Sequence, residues 1–529
     1  MNRFFVSMVV VSLALVLSAC PDTGIVCKQG TNRCGTGCAD YATDSRNCGA
    51  CGQPCGTAQV CQASACRCQD GTTTCSGSCV VTAYDTQNCG ACGRLCASGQ
   101  VCESGQCKAA CTIDTSIRCG DSCVSAATDV NNCGGCGVKC QSGQVCRGKA
   151  CTFEVVAACF SSGELSGFKA ETGEKGPPAD MGTAPGALAS IGGRVLSADG
   201  IDSRLYQARL VGGEPTYRLA ARSNQTGSVP NQVLVDGTLV FVVNASSGTL
   251  QVLEQSSAVT SDVRIDDAGV SGEVPLVTIA ELPLGMNTYP QGVAKIGQSL
   301  WVPLYGGFGL GPSKAGQKVL EISIADPRAP VVMNTVDLSR LDLAPFDGGA
   351  GAPRPWAVTV HRGALYVVLS NLEPTTYAPS GPGFLARIDP VTRAVTAVNL
   401  GANSCLNPQW AAEVAQGLVV SCAGEPVYQG QLTGLLGARS AGLVLLSASD
   451  QTVATWSTPM CNVDAGCTPL LLGRLAVKDQ RVFVADQYGG RVLAFDVADG
   501  GFTQERVIQA CTVPSVTGVA NVADLLVTP

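Results

Sequence analysis

Cysteine is the residue type in this chain whose number and spacing most clearly indicate a chemical role. Of the 31 cysteines, 24 lie between residues 27 and 151, in three groups of eight. The groups share the spacing C-x6-C-x3-C-x9-C-x2-C-x3-C-x5-C-x4-C, and only the first gap of the third group is one residue longer. They comprise Cys27, Cys34, Cys38, Cys48, Cys51, Cys55, Cys61, Cys66; Cys68, Cys75, Cys79, Cys89, Cys92, Cys96, Cys102, Cys107; and Cys111, Cys119, Cys123, Cys133, Cys136, Cys140, Cys146, Cys151. A repeat of about 40 residues indicates one structural unit per copy.

Two chemistries compete for these thiols. Each group contains one C-x2-C pair with zinc-ligand spacing, at Cys48/Cys51, Cys89/Cys92 and Cys133/Cys136. A zinc module of this size needs four ligands rather than eight and usually includes histidine, but the only histidine, His361, is distant. Eight cysteines suit four disulfides, as in small secreted domains that lack a hydrophobic core. The pattern therefore favours disulfides over metal, and 105 possible pairings leave the connectivity open.

Signals for catalysis or a cofactor are weak elsewhere. His361 lies in "VHRGAL", beside a predicted hairpin turn, and we interpret it as an exposed turn residue. A single histidine disfavours Ser-His-Asp triads and two-histidine zinc sites. No G-x-S-x-G, phosphate-binding or dinucleotide-binding motif is present. We therefore predict no catalytic, cofactor-binding or metal-binding residues.

Acidic and tryptophan residues offer two further candidates for a binding site. Asp326, Asp389 and Asp496 occupy similar places after predicted strands, where turn formation is the better explanation. Trp301, Trp356 and Trp410 lie in or beside predicted inner hairpins, where packing between sheets competes with a sugar- or peptide-binding role. A net charge of -7 and a pI near 5.0, without a basic run, disfavour nucleic acid as a partner.

The N-terminus predicts export. "MNRFFVSMVVVSLALVLSAC" has one positive charge, Arg3, before an apolar run from Phe4 to Leu17, which has the length of a signal-peptide core. The segment Leu17-Ser18-Ala19-Cys20 resembles the lipobox of bacterial lipoproteins, in which the cysteine is acylated. We predict a signal peptide at 1–19 and a lipidated tether at 20–26 that attaches the chain to a membrane. An ordinary secretory signal with an incidental Cys20 is the alternative.

The cysteine groups also resemble a known family. The pattern "TD..NCG.CG..C..GQ.C....C" is similar to the Stig1-type cysteine-rich repeat, and the resemblance covers residues 27–151 as copies at 27–66, 68–107 and 111–151. Together with the lipobox, it implies a bacterial envelope protein. The resemblance carries no enzymatic role. Recurring Asp44, Asp129, Asn47, Asn88 and Asn132 are assigned to side-chain-to-backbone turns rather than to calcium.

The composition changes from residue 152 onward. Seven predicted hairpins, such as "VLVDGTLVFVVNAS" and "LAVKDQRVFVADQ", alternate with seven strand-and-turn segments, such as "LEISIADP". The series begins with a strand segment at Leu165 and ends with a hairpin at Gly518, so the two ends can complete one shared sheet. We predict an all-β chain whose residues 152–529 form a seven-bladed β-propeller, similar to NHL, YVTN and quinoprotein-like propellers. A β-sandwich array or a right-handed β-solenoid is the alternative.

Six cysteines lie in the predicted propeller. Cys405 precedes the hairpin that ends at Cys422, and Cys461 and Cys467 bracket a short segment, so we pair them in this way. Elimination then pairs Cys159 with Cys511, near the two ends of the propeller. Cys20 is left without a disulfide partner, in agreement with acylation.

The functional prediction from the sequence is a lipid-anchored binding or scaffold protein of the bacterial cell envelope, placed at the outer membrane or cell surface rather than the inner membrane. The repeats would form a stiff stalk and the propeller would contact an unknown protein or glycan. A propeller enzyme, lactonase-like or quinone-dependent, and a purely structural envelope protein are the alternatives. Three or more acidic side chains converging on the channel mouth would favour the enzyme.

Overall fold

The structure of the protein is a computed structural model. It describes residues 27–35, 37–109, 111, 116–120, 122–181, 184–191, 194–209, 224–227, 229–255, 265–266, 269–270, 276–306, 316–344, 346, 353–373, 376, 378–428, 435–459, 469–498, 501–513 and 520–528. The predicted signal peptide, Cys20, Cys461 and Cys467 lie outside these residues. Strands and turns make up the described chain, and no helix in it is long and apolar enough to cross a membrane.

The chain divides into two compact units, one within residues 1–114 and the other within residues 115–529. The first unit contains the first two cysteine repeats. The second contains the third repeat from residue 115 onward, together with the propeller. Sequence patterns placed the boundary after Cys151, whereas the compact unit of the propeller extends back to include the third repeat.

Each cysteine repeat consists of two short antiparallel hairpins. The strand pairs are Asn32–Cys34 with Gly37–Ala39, Gln59–Gln62 with Ala65–Cys68, Thr73–Cys75 with Ser78–Val80, Gln100–Glu103 with Gln106–Ala109, Ser116–Cys119 with Ser122–Ser125, and Val145–Arg147 with Ala150–Thr152. Strands of three or four residues cannot bury a core, so the hairpins need covalent support.

The predicted β-propeller is confirmed, with seven antiparallel sheets of four strands each. From the inner strand outward, blade 1 comprises Val522–Val527, Val155–Cys159, Glu164–Phe168 and Ala179–Asp180. Blade 2 comprises Pro185–Ile191, Arg194–Asp199, Arg204–Arg209 and Asn224–Gln225; blade 3 comprises Pro230–Asp236, Leu239–Asn244, Thr249–Gln255 and Leu276–Pro283; blade 4 comprises Ala294–Ile296, Ser299–Leu304, Lys318–Ser323 and Val331–Asp337.

The last three blades follow the same order. Blade 5 comprises Pro355–His361, Ala364–Leu369, Phe384–Ile388 and Val395–Asn399; blade 6 comprises Pro408–Val414, Gly417–Cys422, Gly442–Leu446 and Thr452–Ser457; blade 7 comprises Leu472–Lys478, Arg481–Asp486, Arg491–Ala498 and Gly501–Gln509. Two small hairpins extend the connections, Ile265–Asp266 with Gly269–Val270 and Glu425–Tyr428 with Leu435–Arg439.

Ring closure occurs in blade 1, where the chain ends meet. The C-terminal strand Val522–Val527 pairs antiparallel with Val155–Cys159 and forms the inner edge of that blade. The sequence pattern suggested that a whole C-terminal hairpin would supply the inner half of the blade. A single strand does so, because Val155–Cys159, which the pattern missed, already fills the second position.

The propeller core lies between neighbouring blades. In blade 3 the second strand Leu239–Asn244 is buried on both faces, since one face packs on blade 2 and the other on blade 4. Continuous apolar runs such as "LVFVV" are therefore suited to the middle strands. The outer strands are more polar, because one edge faces solvent; the outer strand of blade 4, Val331–Asp337, is largely exposed.

The third repeat packs on blade 1 of the propeller. Phe153 follows the last cysteine of the repeat and is only 1% exposed. Its ring covers Gly167 and Gly176, where any Cβ would overlap it. Ser142 of the repeat donates a hydrogen bond to the Glu174 carboxylate over 2.8 Å. These contacts explain why the third repeat belongs to the same compact unit as the propeller.

Candidate functional site

The inner strands of the propeller begin in the same way on one face. The first residue of the inner strand is proline in blades 2, 3, 5 and 6, and in blade 4 a proline pairs with Leu304 ahead of that strand. These residues are Pro185, Pro230, Pro290, Pro355 and Pro408. The register with the second strand shifts immediately after the proline in blades 2, 3, 5 and 6. Such bulges re-aim side chains, here toward the central channel.

The residue before four of these prolines has a left-handed backbone. The φ angles of Val229, Tyr289, Arg354 and Asn407 are 55°, 46°, 45° and 46°. A side chain disfavours this region, and a following proline disfavours helical conformations further. The carbonyl of each residue accepts a hydrogen bond from the residue just after the second strand, at 2.8 to 3.2 Å. Strained backbone held by surrounding bonds is a feature of functional sites, so this face is the candidate face.

The two positions that follow the strand start line the mouth of the channel. We call them the mouth residues: Asn231, Gln232, Gln291, Trp356, Gln409, Trp410, Arg474 and Asp524. They are amides, aromatic rings and one ion pair from six blades, whereas blade 2 contributes only Gly186 and Ala187 at these positions. Polar and aromatic side chains thus converge where the inner strands of several blades meet.

Arg474 lies at the centre of this ring. Its guanidinium donates to the Asp524 carboxylate and to Oε1 of Gln232, both over 2.9 Å, and to the Asn231 carbonyl over 2.8 Å. It also stacks over the Trp410 ring at 4.5 Å from the centroid. One side chain of blade 7 therefore contacts blades 1, 3 and 6, and it spans the channel.

Electrostatics at the mouth are nearly balanced. Burial raises the pKa of the Asp524 carboxyl above its usual value, although the Arg474 guanidinium opposes this shift. Asp524 also accepts a hydrogen bond from the Leu188 amide of blade 2 over 2.8 Å. Because the Arg474 charge is paired, the mouth presents amide groups and rings to a ligand rather than a free cation.

A second cluster lies beside the mouth residues, between blades 4 and 5. Arg354 is 1% exposed, and its guanidinium stacks over the Tyr305 ring at 4.9 Å. Trp356 meets the same tyrosine edge to face, with ring centroids 5.5 Å apart. An aromatic and cationic stack therefore supports the mouth on this side.

The three tryptophans considered from the sequence have different environments. Trp301 is buried in the second strand of blade 4 and serves the core. Trp356 and Trp410 are half-buried; both pack against the apolar cluster between blades 5 and 6, and both belong to the mouth residues. The interpretation as packing residues holds for all three, and two also border the candidate site.

The three aspartates do not converge. Asp326 and Asp389 accept hydrogen bonds from amides of their own turns, and Asp496 pairs with Arg481 over 3.0 Å. They belong to blades 4, 5 and 7, near the ends of third strands. Antiparallel order places those ends on the face opposite the mouth. The predicted role in turns fits Asp326 and Asp389, whereas Asp496 lies within the third strand of blade 7 and pairs with Arg481 instead.

The prediction that His361 is an exposed turn residue is wrong. It ends the inner strand of blade 5 and is 2% exposed. Its Nδ1 lies 3.3 Å from the Glu413 carboxylate of blade 6, and its ring meets the Tyr366 ring edge to face. The turn itself starts at Arg362, but the side chain before it points between two blades, so proximity to a turn did not mean exposure.

The choice of disulfides over metal thiolates is confirmed. In the first two repeats the first cysteine pairs with the third, the second with the fifth, the fourth with the seventh and the sixth with the eighth. The third repeat has the last three of these bonds, and Cys111 and Cys123 are also disulfide-bonded. The propeller contains the pairs Cys159–Cys511 and Cys405–Cys422, as proposed from the sequence.

The recurring Asp and Asn residues of the repeats form turns. Asp44 accepts from the Arg46 amide and from the Asn47 side chain, and Asn47 accepts from the Gly52 amide, all within 2.9 Å. Asp85 with Asn88 and Asp129 with Asn132 repeat this arrangement. Their oxygen atoms thus have protein partners, which supports turns over calcium. Among the described residues, the only groups close enough to share a metal are cysteine triplets.

Sequence reasoning missed Arg474, Asp524, Gln232 and Gln409. A signal was present in the recurring segments "VPNQV", "YPQGV", "RPWAV" and "NPQWA", where a proline precedes two channel-facing residues. The pattern identifies the start of each inner strand. The side chains that meet across the channel depend on closure of the ring.

Comparison with known proteins gives one family match and several similar solved structures. A model of the stigma-specific STIG1-like protein family matches residues 58–110. A search of curated proteins found no matching sequence. Solved structures that resemble the chain include a proposed 6-phosphogluconolactonase from Bacteroides fragilis, 13% identical over 67% of this chain and 94% of that chain, with a TM-score of 0.43.

Two further structures have similar statistics. Apo AztD from Citrobacter koseri is 12% identical over 73% of this chain and 97% of that chain, with a TM-score of 0.42. A streptogramin B lyase is 10% identical over 62% of this chain and 83% of that chain, with a TM-score of 0.40. Likeness at this level transfers no activity to the chain. The chain is a seven-bladed β-propeller preceded by a disulfide-rich region, and residues 58–110 of that region are similar to the STIG1-like family.

Proposed function

We propose that this chain is an exported, lipid-anchored binding protein whose propeller takes a protein or glycan ligand at the mouth of its central channel. The observation that carries the proposal is the ring of mouth residues. Amide and aromatic side chains from blades 3, 4, 5 and 6 converge around the Arg474–Asp524 pair on the face with strained backbone. Amides supply both donors and acceptors, and rings supply apolar contact area, which together suit recognition.

Export and anchoring rest on the cysteine chemistry. Disulfides persist in oxidising compartments, and three repeats of this density belong to the secreted class. The segment Leu17–Cys20, behind an apolar run, supplies an acylation site. Together these features support a bacterial envelope protein attached through Cys20, at the outer membrane or cell surface. The repeats separate the anchor from the propeller along the chain.

The small number of carboxylates among the mouth residues favours binding over catalysis. Asp524 is the one carboxylate among the mouth residues, and it is paired with Arg474. A lactonase-like metal site would need several carboxylates there, and the described residues offer no such group. A purely structural envelope protein would not require polar side chains gathered under strained backbone. Both alternatives are therefore less well supported.

The binding proposal is tested with one matched pair of variants. Gln409→Lys places a long cation at the mouth, whereas Gln416→Lys makes the same change in the hairpin turn of the same blade, on the opposite face. Affinity capture of cross-linked material from intact cells should decrease at least tenfold for Gln409→Lys and stay unchanged for Gln416→Lys. Equal capture by both variants would contradict a ligand site at the mouth.

The anchor is tested separately by lipid labelling. Metabolic labelling with palmitate should mark the wild-type chain and not Cys20→Ala. The variant should also leave the membrane fraction, because a multiply acylated terminus provides the attachment. Equal labelling of both proteins would refute acylation at Cys20 and leave the binding proposal standing.

A further inference from the structure

Each cysteine repeat brings three sulfur atoms together from two different disulfides. The three Sγ atoms all lie within 4.8 Å of one another in Cys48, Cys55 and Cys66; in Cys89, Cys96 and Cys107; and in Cys133, Cys140 and Cys151. In every case they belong to the fourth–seventh and sixth–eighth disulfides of the repeat. The fourth sulfur, from the seventh cysteine, is bonded to the first member of the triplet and therefore adjoins it.

We propose that each repeat contains a latent four-thiolate site for Zn²⁺ or a similar thiophilic cation, which opens when these two disulfides are reduced. Zinc bound by four thiolates has bonds of about 2.3 Å, which places neighbouring sulfurs roughly 3.8 Å apart. In the oxidised first repeat the sulfurs of Cys55 and Cys66 are bonded at 2.00 Å, and those of Cys48, Cys55 and Cys66 all lie within 4.8 Å of one another. The bonded pair must therefore separate by roughly 1.8 Å after reduction to reach the spacing of a four-thiolate site. The Cα atoms of the two pairs in the first repeat are 5.5 and 5.4 Å apart, so little backbone movement is needed to free the thiols.

The chemistry requires a reductant, and a dithiol supplies it. For each disulfide, one dithiol gives two electrons and two protons, becomes a disulfide itself, and leaves two protein thiols. Reduction of both disulfides gives four thiols per repeat, which lose their protons as thiolates when the cation binds. The cation then replaces two covalent links by four coordinate bonds. The oxidised repeat offers no thiolate and binds no zinc.

The three repeats differ in access to the sixth–eighth disulfide. Cys66 is exposed in the first repeat, Cys107 is half-buried in the second, and Cys151 is only 5% exposed in the third. In the third repeat Cys133, Cys146 and Cys151 form a small apolar cluster with Cys140 against it. Reduction of the sixth–eighth disulfide should therefore begin in the first repeat and reach the third last, whereas the fourth–seventh disulfide is buried in all three repeats.

The test uses the full chain with graded reduction by dithiothreitol, removal of the reductant without oxygen, and titration with Zn²⁺ or Cd²⁺. The thiolate-to-cadmium absorption band reports binding. The oxidised protein should bind no cation, and the fully reduced protein should bind three in the repeats. Absence of cation binding after reduction, or the same binding to the oxidised protein, would overturn the proposal.

Paired variants of the first repeat assign the site. Cys55→Ser/Cys66→Ser removes two proposed ligands and should lower the count from three to two. Cys27→Ser/Cys38→Ser removes a disulfide of the same repeat that lies outside the triplet and should leave three. A loss shared equally by both variants would overturn the assignment.

A second measurement does not depend on how the variants fold. In the reduced wild-type protein, Zn²⁺ should protect Cys48, Cys55, Cys61 and Cys66 from alkylation, at least tenfold more than Cys27 or Cys34. Mass spectrometry of the alkylated peptides gives these ratios. Uniform protection across the eight cysteines of a repeat would overturn the four-thiolate site.

Discussion

The cysteine repeats and the propeller hold their strands in opposite ways. In the repeats, the buried apolar residues are mostly the half-cystines themselves, with a few alanines such as Ala39 and Ala126. Bonds that close intervals of 11 to 17 residues take the place of a core. In the propeller, apolar clusters join neighbouring blades, and the described residues from 152 onward include two disulfides.

The difference shows that disulfide cross-links within a repeat and strand pairing that closes the propeller ring are two ways to stabilise short strands. Each repeat is closed locally, so its stability depends on its own four bonds. The propeller is closed once, at the pairing of Val155–Cys159 with Val522–Val527, and every blade depends on that ring. Cys159–Cys511 lies at the same junction and adds a covalent bond there. Damage to one region should therefore have different consequences from damage to the other.

The largest effect is expected from deletion of residues 520–529. This change removes the inner strand of blade 1, including buried Val522 and Leu525, and leaves the inner edge of Val155–Cys159 unpaired. Each lost large side chain costs about 2–5 kcal/mol, against a total stability of roughly 5–15 kcal/mol for a domain. The propeller should become protease-sensitive, while a disulfide-bonded fragment within residues 27–109 should resist. Melting like that of the full-length protein would refute closure by the C-terminal strand.

Reduction should produce the reverse pattern. Dithiothreitol with a chelator opens the repeats, where a closed loop of roughly 15 residues contributes about 3 kcal/mol in the chain-entropy model. Hydrogen exchange in residues 27–109 should approach the unfolded rate. The second and third strands of blades 2, 3, 4, 5 and 7, which contain no half-cystine, should remain protected, because apolar packing between blades buries them. Simultaneous loss of protection in both regions would contradict independent stabilisation.

An intermediate effect is expected at the Arg474–Asp524 pair. Arg474→Met leaves a buried carboxylate without its counter-charge, which typically costs about 3–5 kcal/mol. Adding Asp524→Asn removes that charge and retains an acceptor for the Leu188 amide, so the double variant should recover much of the loss. Urea denaturation followed by tryptophan fluorescence measures both. If the two changes were simply additive, the pair would not be coupled across the channel.

Much of the fold could be predicted from local patterns. Eight evenly spaced cysteines per repeat predicted disulfides, and alternating hairpins and single strands predicted seven blades. Connectivity could not be obtained, because each repeat allows 105 pairings and only the folded hairpins bring Cys48 near Cys61. The strand Val155–Cys159 was missed because its run of small apolar residues has no alternation, since both faces are buried.

The candidate site was harder to predict than the fold. Arg474 and Gln232 are 242 residues apart and meet only because the ring closes. Their orientation depends on bulges that no periodicity reports. His361 was also misjudged because local sequence does not report contacts between blades. Its position beside a turn was predicted correctly, but its burial between blades 5 and 6 depends on the assembled propeller.

The smallest effect concerns a turn that both regions use. The Asn132 side chain and the Asn131 amide donate to Asp129 in the third repeat and lower the pKa of its carboxyl. In blade 5 of the propeller, the amides of Thr392 and Val391 have the same effect on the pKa of Asp389. A lowered folded-state pKa means that the stabilisation is complete above the unfolded value of 3.8 and is lost as the pH falls through the folded value.

Asp129→Asn and Asp389→Asn should therefore each abolish the acid-dependent part of amide protection in their own turn. NMR measurement of turn-amide exchange relative to intrinsic rates, between about pH 2 and 5, checks both, since the lowered pKa places the titration of each folded-state carboxyl below 3.8. At neutral pH neither variant should shift the urea midpoint measurably, because Asp389 is exposed, Asp129 is only half-buried, and both turns are held by neighbouring bonds. The repeat variant should lose protection only near Asp129, where the disulfides Cys119–Cys136 and Cys133–Cys146 bracket the turn. Acid-sensitive amide protection could persist in Asp129→Asn but not in Asp389→Asn. In that case another carboxyl would determine the acid sensitivity of the repeat, and the aspartate-stabilised turn would account for acid sensitivity only in the propeller.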